Sequence, residues 1–173
     1  SFERKFKRFI SRFLRIIVDA RRSTISRDAT FERILVVRQH NQLGDMLCCV
    51  PLLRALRTKY PAAFIALMTS PVNHDVMLNN RYVDSIINFD KRQYMGMGIQ
   101  GLKRLTRFVR ELRAQTFDLA IVPSTVSTSF TSGLLAYLSG AQTRIGAEGL
   151  NRDRNASAFF FTAAVPLDWS RSE

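Results

Sequence analysis

Apolar and polar positions alternate along this chain in two rhythms. Residues 34–37 (ILVV), 64–68 (FIALM), 83–89 (VDSIINF) and 117–122 (FDLAIV) are short, mostly apolar and β-branched runs. Runs of that length and composition predict parallel strands buried on both faces. Between them lie stretches with helical periodicity. Residues 46–60 turn Met46, Val50, Leu53 and Leu56 to one side and Arg54, Arg57 and Lys59 to the other. Pro61 closes that helix, while Pro51 inside it demands a late start or a bend. Residues 71–79 suit a short helix with Ser70 as cap and Pro71 first. Residues 90–101, with Gly96 and Gly98, suit an irregular connection. Residues 102–115 form a further helix with Leu102, Leu105, Phe108, Val109 and Leu112 inward, and residues 128–138 another with Gly140 as its C-cap. A short strand at Arg144–Ile145 and a Phe-rich strand over residues 158–163 complete the set. Alternation of this kind predicts an α/β fold with a doubly wound, Rossmann-like parallel sheet. Its ligands bind beyond the carboxyl ends of the strands, so the loops after residues 37, 68, 89 and 122 are the places to look.

The first thirty residues follow a different rhythm. Phe2, Phe6, Phe9, Ile10, Phe13, Leu14, Ile16 and Ile17 share one side of a helical projection, and Arg4, Lys5, Arg8, Arg12 and Arg15 the other. Residues 1–20 are thus an amphipathic basic helix, residues 21–31 a polar linker, and residues 32–173 the globular domain. Charge sharpens this picture. The net charge is +12, and residues 1–30 carry nine Lys or Arg against three Asp or Glu, so half the excess sits there. A Phe-rich face opposite a basic one fits an anionic membrane surface. Docking on protein is the competing use of that face. Nucleic acid is disfavoured, because it leaves the large apolar residues unburied.

Composition excludes little else. A chain of 173 residues, 46% hydrophobic and 23% charged, makes one domain with a real core. No stretch is long and apolar enough to span a bilayer, and no signal peptide is evident. Cys48 and Cys49 are adjacent, which suits neither a disulfide nor a metal site. They read as small core residues in a reducing compartment.

The loop after the first strand carries the most chemistry. It reads Arg38, Gln39, His40, Asn41, Gln42, Leu43, Gly44, Asp45. It matches neither a dinucleotide fingerprint nor a P-loop. Gly44 lets backbone approach a ligand. Asp45 stands at the mouth of the next helix, as cap or first-turn residue, or as a general base toward a substrate hydroxyl. His40 is either a loop histidine or an acid, base or phosphate contact. Ser124 and Thr125 belong to a polar loop after the fourth strand, where turns and ligand contacts are equally good explanations.

Three blocks resemble one family. ILVVRQHNQLGDMLCCVPLLRALRTKYP (residues 34–61), FDLAIVPS (117–124) and SGLLAYLSGAQTRIGAE (132–148) are similar, in order and spacing, to segments of the heptosyltransferases, glycosyltransferase family 9. The resemblance implies two doubly wound domains facing across a cleft, the GT-B arrangement, of which this chain would be the N-terminal, acceptor-side half. It implies transfer with inversion of a heptose or related sugar from a nucleotide-sugar donor, ADP-heptose-like, to a lipopolysaccharide-type, anionic glycolipid acceptor. It needs no metal or further cofactor. Asp45 matches the proposed general base, and Arg144, in the Arg-Ile-Gly segment, matches a residue suited to an acidic acceptor group. Gly44, His40, Asn41, Gln42, Ser124 and Thr125 join it as acceptor contacts. The polar His40-Asn41-Gln42 stretch and the basic N-terminal helix depart from the family pattern. The implied location is cytoplasmic, peripheral on the inner face of a bacterial inner membrane. The donor-binding domain is expected to be absent from residues 1–173, so this fragment alone is expected to be inactive. The competing functions are a non-catalytic binding module of the same fold and a nucleotide- or phosphate-binding domain of another enzyme.

Overall fold

The computed structural model describes residues 24–26, 28–39, 43–94, 98–124, 128–150 and 153–167. The amphipathic segment 1–20 lies outside the described residues, as do His40, Asn41, Gln42 and Thr125.

The strands are β1 (Arg33–Arg38), β2 (Phe64–Thr69), β3 (Ser85–Asn88), β4 (Leu119–Val122), β5 (Thr143–Leu150), β6 (Asp153–Arg154) and β7 (Ala163–Leu167). The helices are α1 (Leu43–Leu47), α2 (Val50–Lys59), α3 (Pro71–His74), α4 (Gly98–Ala114) and α5 (Phe130–Leu138). The strands form one sheet in the order β3-β2-β1-β4-β5, with β7 parallel and β6 antiparallel to β5. All of the β1 to β5 pairings are parallel. This is the doubly wound sheet that the apolar runs predict.

Strand periodicity sorts the core into two layers. Ile34 and Val36 face the side covered by α2, with Leu53, Leu56 and Met46. Leu35 and Val37 face the side covered by α4 and α5, with Leu112, Leu135 and Phe160. Two aspartates clamp strand starts. Asp118 accepts hydrogen bonds from the Glu32 and Arg33 amides at 2.8 and 3.2 Å. Asp84 accepts from the Ile65 amide at 2.7 Å and pairs with Arg57 at 2.6 Å. Arg57 therefore ties α2 to the sheet rather than standing solvated, and its other nitrogen donates to the Ala63 carbonyl at 2.7 Å.

Several elements differ from the sequence expectation. The helix over 46–60 is two helices, broken at Cys48 and Cys49, and Pro51 falls in the first turn of α2. There its missing N–H costs nothing. The 71–79 helix shortens to α3 plus a 3-10 turn at Asp75–Met77. Its Ser70 side chain makes no capping bond. The helix after β3 begins at Gly98, and Leu102 is exposed rather than inward. The strand at Arg144–Ile145 extends to Leu150. The Phe-rich strand is instead a 3-10 turn, Ala158–Phe160, followed by β7. Asn155 organises that turn. Its Oδ1 accepts from the Ser157 amide and hydroxyl at 2.9 and 2.6 Å, and its Nδ2 donates to the Ala147 carbonyl at 2.7 Å. Phe160 and Phe161 thereby turn into the core.

Candidate active site

The order β2-β1-β4 reverses between β1 and β4, which makes that seam the switch point where open α/β sheets bind ligands. Three side chains cross or border it. Arg38 ends β1 and is 2% exposed, so it belongs to the strand and not to the loop after it. Its Nη1 donates to the Pro123 carbonyl, just past β4, at 2.7 Å. Its Nη2 lies 3.3 Å from Oδ2 of Asp45. Gln39 follows, and its amide donates to the hydroxyl of Ser132 in α5 at 3.3 Å.

Asp45 is buried in the first turn of α1, as its third residue rather than its cap. The charge of a carboxylate there is favoured by the helix dipole and matched by the guanidinium. Gly44 beside it is exposed, and among the described residues a Cβ added to it would meet nothing within 4 Å. Ser124 is half-buried beyond Pro123, on the same seam.

Cys49 packs beneath this group, its thiol donating to the Asp45 carbonyl at 3.6 Å. Burial pushes that thiol up to about 11. A thiol that far above neutrality stays protonated and inert. Cys48 is exposed, and both cysteines are free. Among the described residues no cluster of His, Cys, Asp or Glu is fit to hold a metal ion.

Arg144 does not join the group. Its Nε donates to the Phe160 carbonyl at 2.6 Å, and its guanidinium also holds the Ala141 carbonyl and lies over the Tyr137 ring. Burial pulls its pKa below the ordinary arginine value. In β5 it pairs with Ala120, well short of the carboxyl end of the strand. Its neighbours explain the rest of the Arg-Ile-Gly segment. A Cβ at Gly146 would lie 2.3 Å from the Phe161 ring, so only glycine admits that ring. In the Ser-Gly-Ala segment, the Ser139 hydroxyl bonds the Ala136 carbonyl at 2.7 Å, and Gly140 takes φ +79° after the helix.

Sequence reasoning missed Arg38 and Gln39. Arg38 has a signal: period two from Ile34 and Val36 turns it inward. The Gln39 side chain is buried, and neither its oxygen nor its nitrogen has a hydrogen-bond partner among the described residues.

No protein-family model matches the chain, and no curated protein matches it. Solved structures do. The glycosyl transferase family 9 structure from Veillonella parvula superposes with a TM-score of 0.64 at 24% identity, over 83% of this chain and 38% of that one. The E. coli heptosyltransferase WaaC with ADP-2-deoxy-2-fluoro heptose gives 0.64 at 16%, over 81% and 44%. The E. coli ADP-heptose lps heptosyltransferase II gives 0.53 at 24%, over 67% and 30%. The chain has the heptosyltransferase fold. This is the parallel α/β sheet with flanking helices of the GT-B-like kind, and the chain spans less than half the length of each of these heptosyltransferase-fold structures. No helix among the described residues is long and apolar enough to cross a membrane.

Proposed function

We propose that this chain is the acceptor-side half of a two-domain, inverting glycosyltransferase of family 9. It moves a heptose or related sugar from a nucleotide-sugar donor to an anionic, lipopolysaccharide-type acceptor. One observation carries the reading: a buried, ion-paired carboxylate, Asp45, stands at the switch point of a heptosyltransferase fold, beside the exposed Gly44.

In this mechanism the acceptor hydroxyl approaches over Gly44 and hydrogen-bonds to the Asp45 carboxylate. Its oxygen attacks the anomeric carbon as the bond to the nucleotide diphosphate breaks on the opposite face, which inverts that centre. The proton passes to Asp45 late, as the attacking oxygen acquires positive charge. A charge-paired carboxylate is a weak base in the ground state and becomes competent only then. Ser124, half-buried on the same seam, is an acceptor contact in this reading, and the family resemblance alone adds His40, Asn41, Gln42 and Thr125. Arg144 is left out of that set, because its guanidinium is committed to two carbonyls of its own domain. The basic segment 1–20 supplies the contact with an anionic bilayer, which salt-dependent co-sedimentation with anionic vesicles tests.

Calorimetric titration of residues 1–173 distinguishes this reading from its competitors. The fragment is expected to bind an anionic core-oligosaccharide acceptor and to leave ADP unbound. Binding of ADP without the acceptor would instead mark a nucleotide-binding domain. Acceptor binding by a longer protein that transfers no sugar would mark a binding module.

A further inference from the structure

Arg38 is the bulkiest fully buried side chain among the described residues, and it follows four wholly buried aliphatic positions of its strand, Ile34 to Val37. A buried ion pair seldom adds stability over an apolar side chain of the same volume, because both charges must leave water. Packing alone therefore does not account for an arginine here. Its geometry does. The planar fork reaches two acceptors at once, the Pro123 carbonyl at 2.7 Å and the Asp45 carboxylate at 3.3 Å. One lies at the end of β4, the other in α1. α1 has five residues, anchored through the buried Met46 while Leu43 and Leu47 are exposed, and Arg38 ties its carboxylate to the sheet. A helix that short holds its side chains poorly by itself. β1, by contrast, is a central strand bonded on both sides.

We propose that Arg38 is the positioning residue for Asp45, fixing the carboxylate at the β1–β4 seam for attack by the acceptor hydroxyl. This rests on the glycosyl-transfer reading above. Lysine keeps the charge but offers a point donor, which cannot span both acceptors in one geometry.

The test uses the two-domain enzyme at saturating donor and acceptor. Arg38→Lys is expected to lower kcat about 10- to 100-fold, the scale of a misplacement near 1 Å. The acceptor KM should change less than about 3-fold, because uniform binding is untouched. Arg38→Lys combined with Asp45→Asn should be no slower than Asp45→Asn alone, since Arg38 acts through Asp45. If Arg38→Lys fails to fold, Arg38→Met in the Asp45→Asn background removes the charge mismatch, and the same equality is expected. Losses that multiply in either double variant would overturn the proposal. So would wild-type kcat in folded Arg38→Lys while Asp45→Asn is inactive, and the glycosyl-transfer reading would then survive. Full activity of Asp45→Asn would overturn both.

Discussion

Asp45→Asn in the proposed two-domain enzyme is expected to cost about 100- to 10,000-fold in turnover, the usual worth of a positioned general base. Asparagine matches the shape of aspartate and can still accept from the Arg38 guanidinium. It cannot take a proton from an acceptor hydroxyl. The structure also sets the stability cost. Asp45 is not the helix cap, where Asn would be nearly silent. It neutralises a guanidinium that is 2% exposed. Losing that charge while keeping a hydrogen-bond acceptor should cost about 1–3 kcal/mol, less than the roughly 3–5 kcal/mol of removing one partner outright. Turnover per folded molecule, measured below the melting transition, separates the two roles. If Asp45 only stabilises the domain, that quantity will match wild type although the melt has dropped.

Phe160→Ala carries the largest expected effect on stability, about 3–5 kcal/mol. Phe160 is wholly buried. Its ring centroid lies 4.2, 5.5 and 5.6 Å from those of Phe159, Phe130 and Tyr137. It thus packs α5 against the turn before β7. For a domain of this size the loss corresponds to a fall of roughly 6–20 °C in Tm. Denaturant titration at constant slope gives the free energy directly. Phe159 is half-buried, so Phe159→Ala should cost clearly less. A cost below about 1 kcal/mol for Phe160→Ala would mean that the turn is not seated as described.

The central strands were legible in the sequence because burial on both faces leaves a continuous apolar, β-branched run, as at Ile34–Val37 and Phe64–Met68. The same logic failed at Phe159–Phe161. Three aromatics in a row also read as a strand, and what bends them is the hydrogen bonding of one buried asparagine, Asn155. No local pattern reports that. At the site, Gly44 and Asp45 stood out by their place after the first strand. Arg38 was hidden by its charge, which reads as loop although its period places it in the core. Arg144 entered only through the family resemblance, and its partners, the carbonyls of Ala141 and Phe160, come from segments that only the folded chain brings to it.

The central claim is that Asp45 and its seam serve sugar transfer. Product formation by the two-domain protein, supplied with ADP-heptose and a lipopolysaccharide core acceptor, tests it most directly. The account predicts transfer that requires both substrates, inverts the anomeric centre and collapses with Asp45→Asn. Transfer that retains the anomeric configuration, or that proceeds at the wild-type rate per folded molecule without the Asp45 carboxylate, would contradict it.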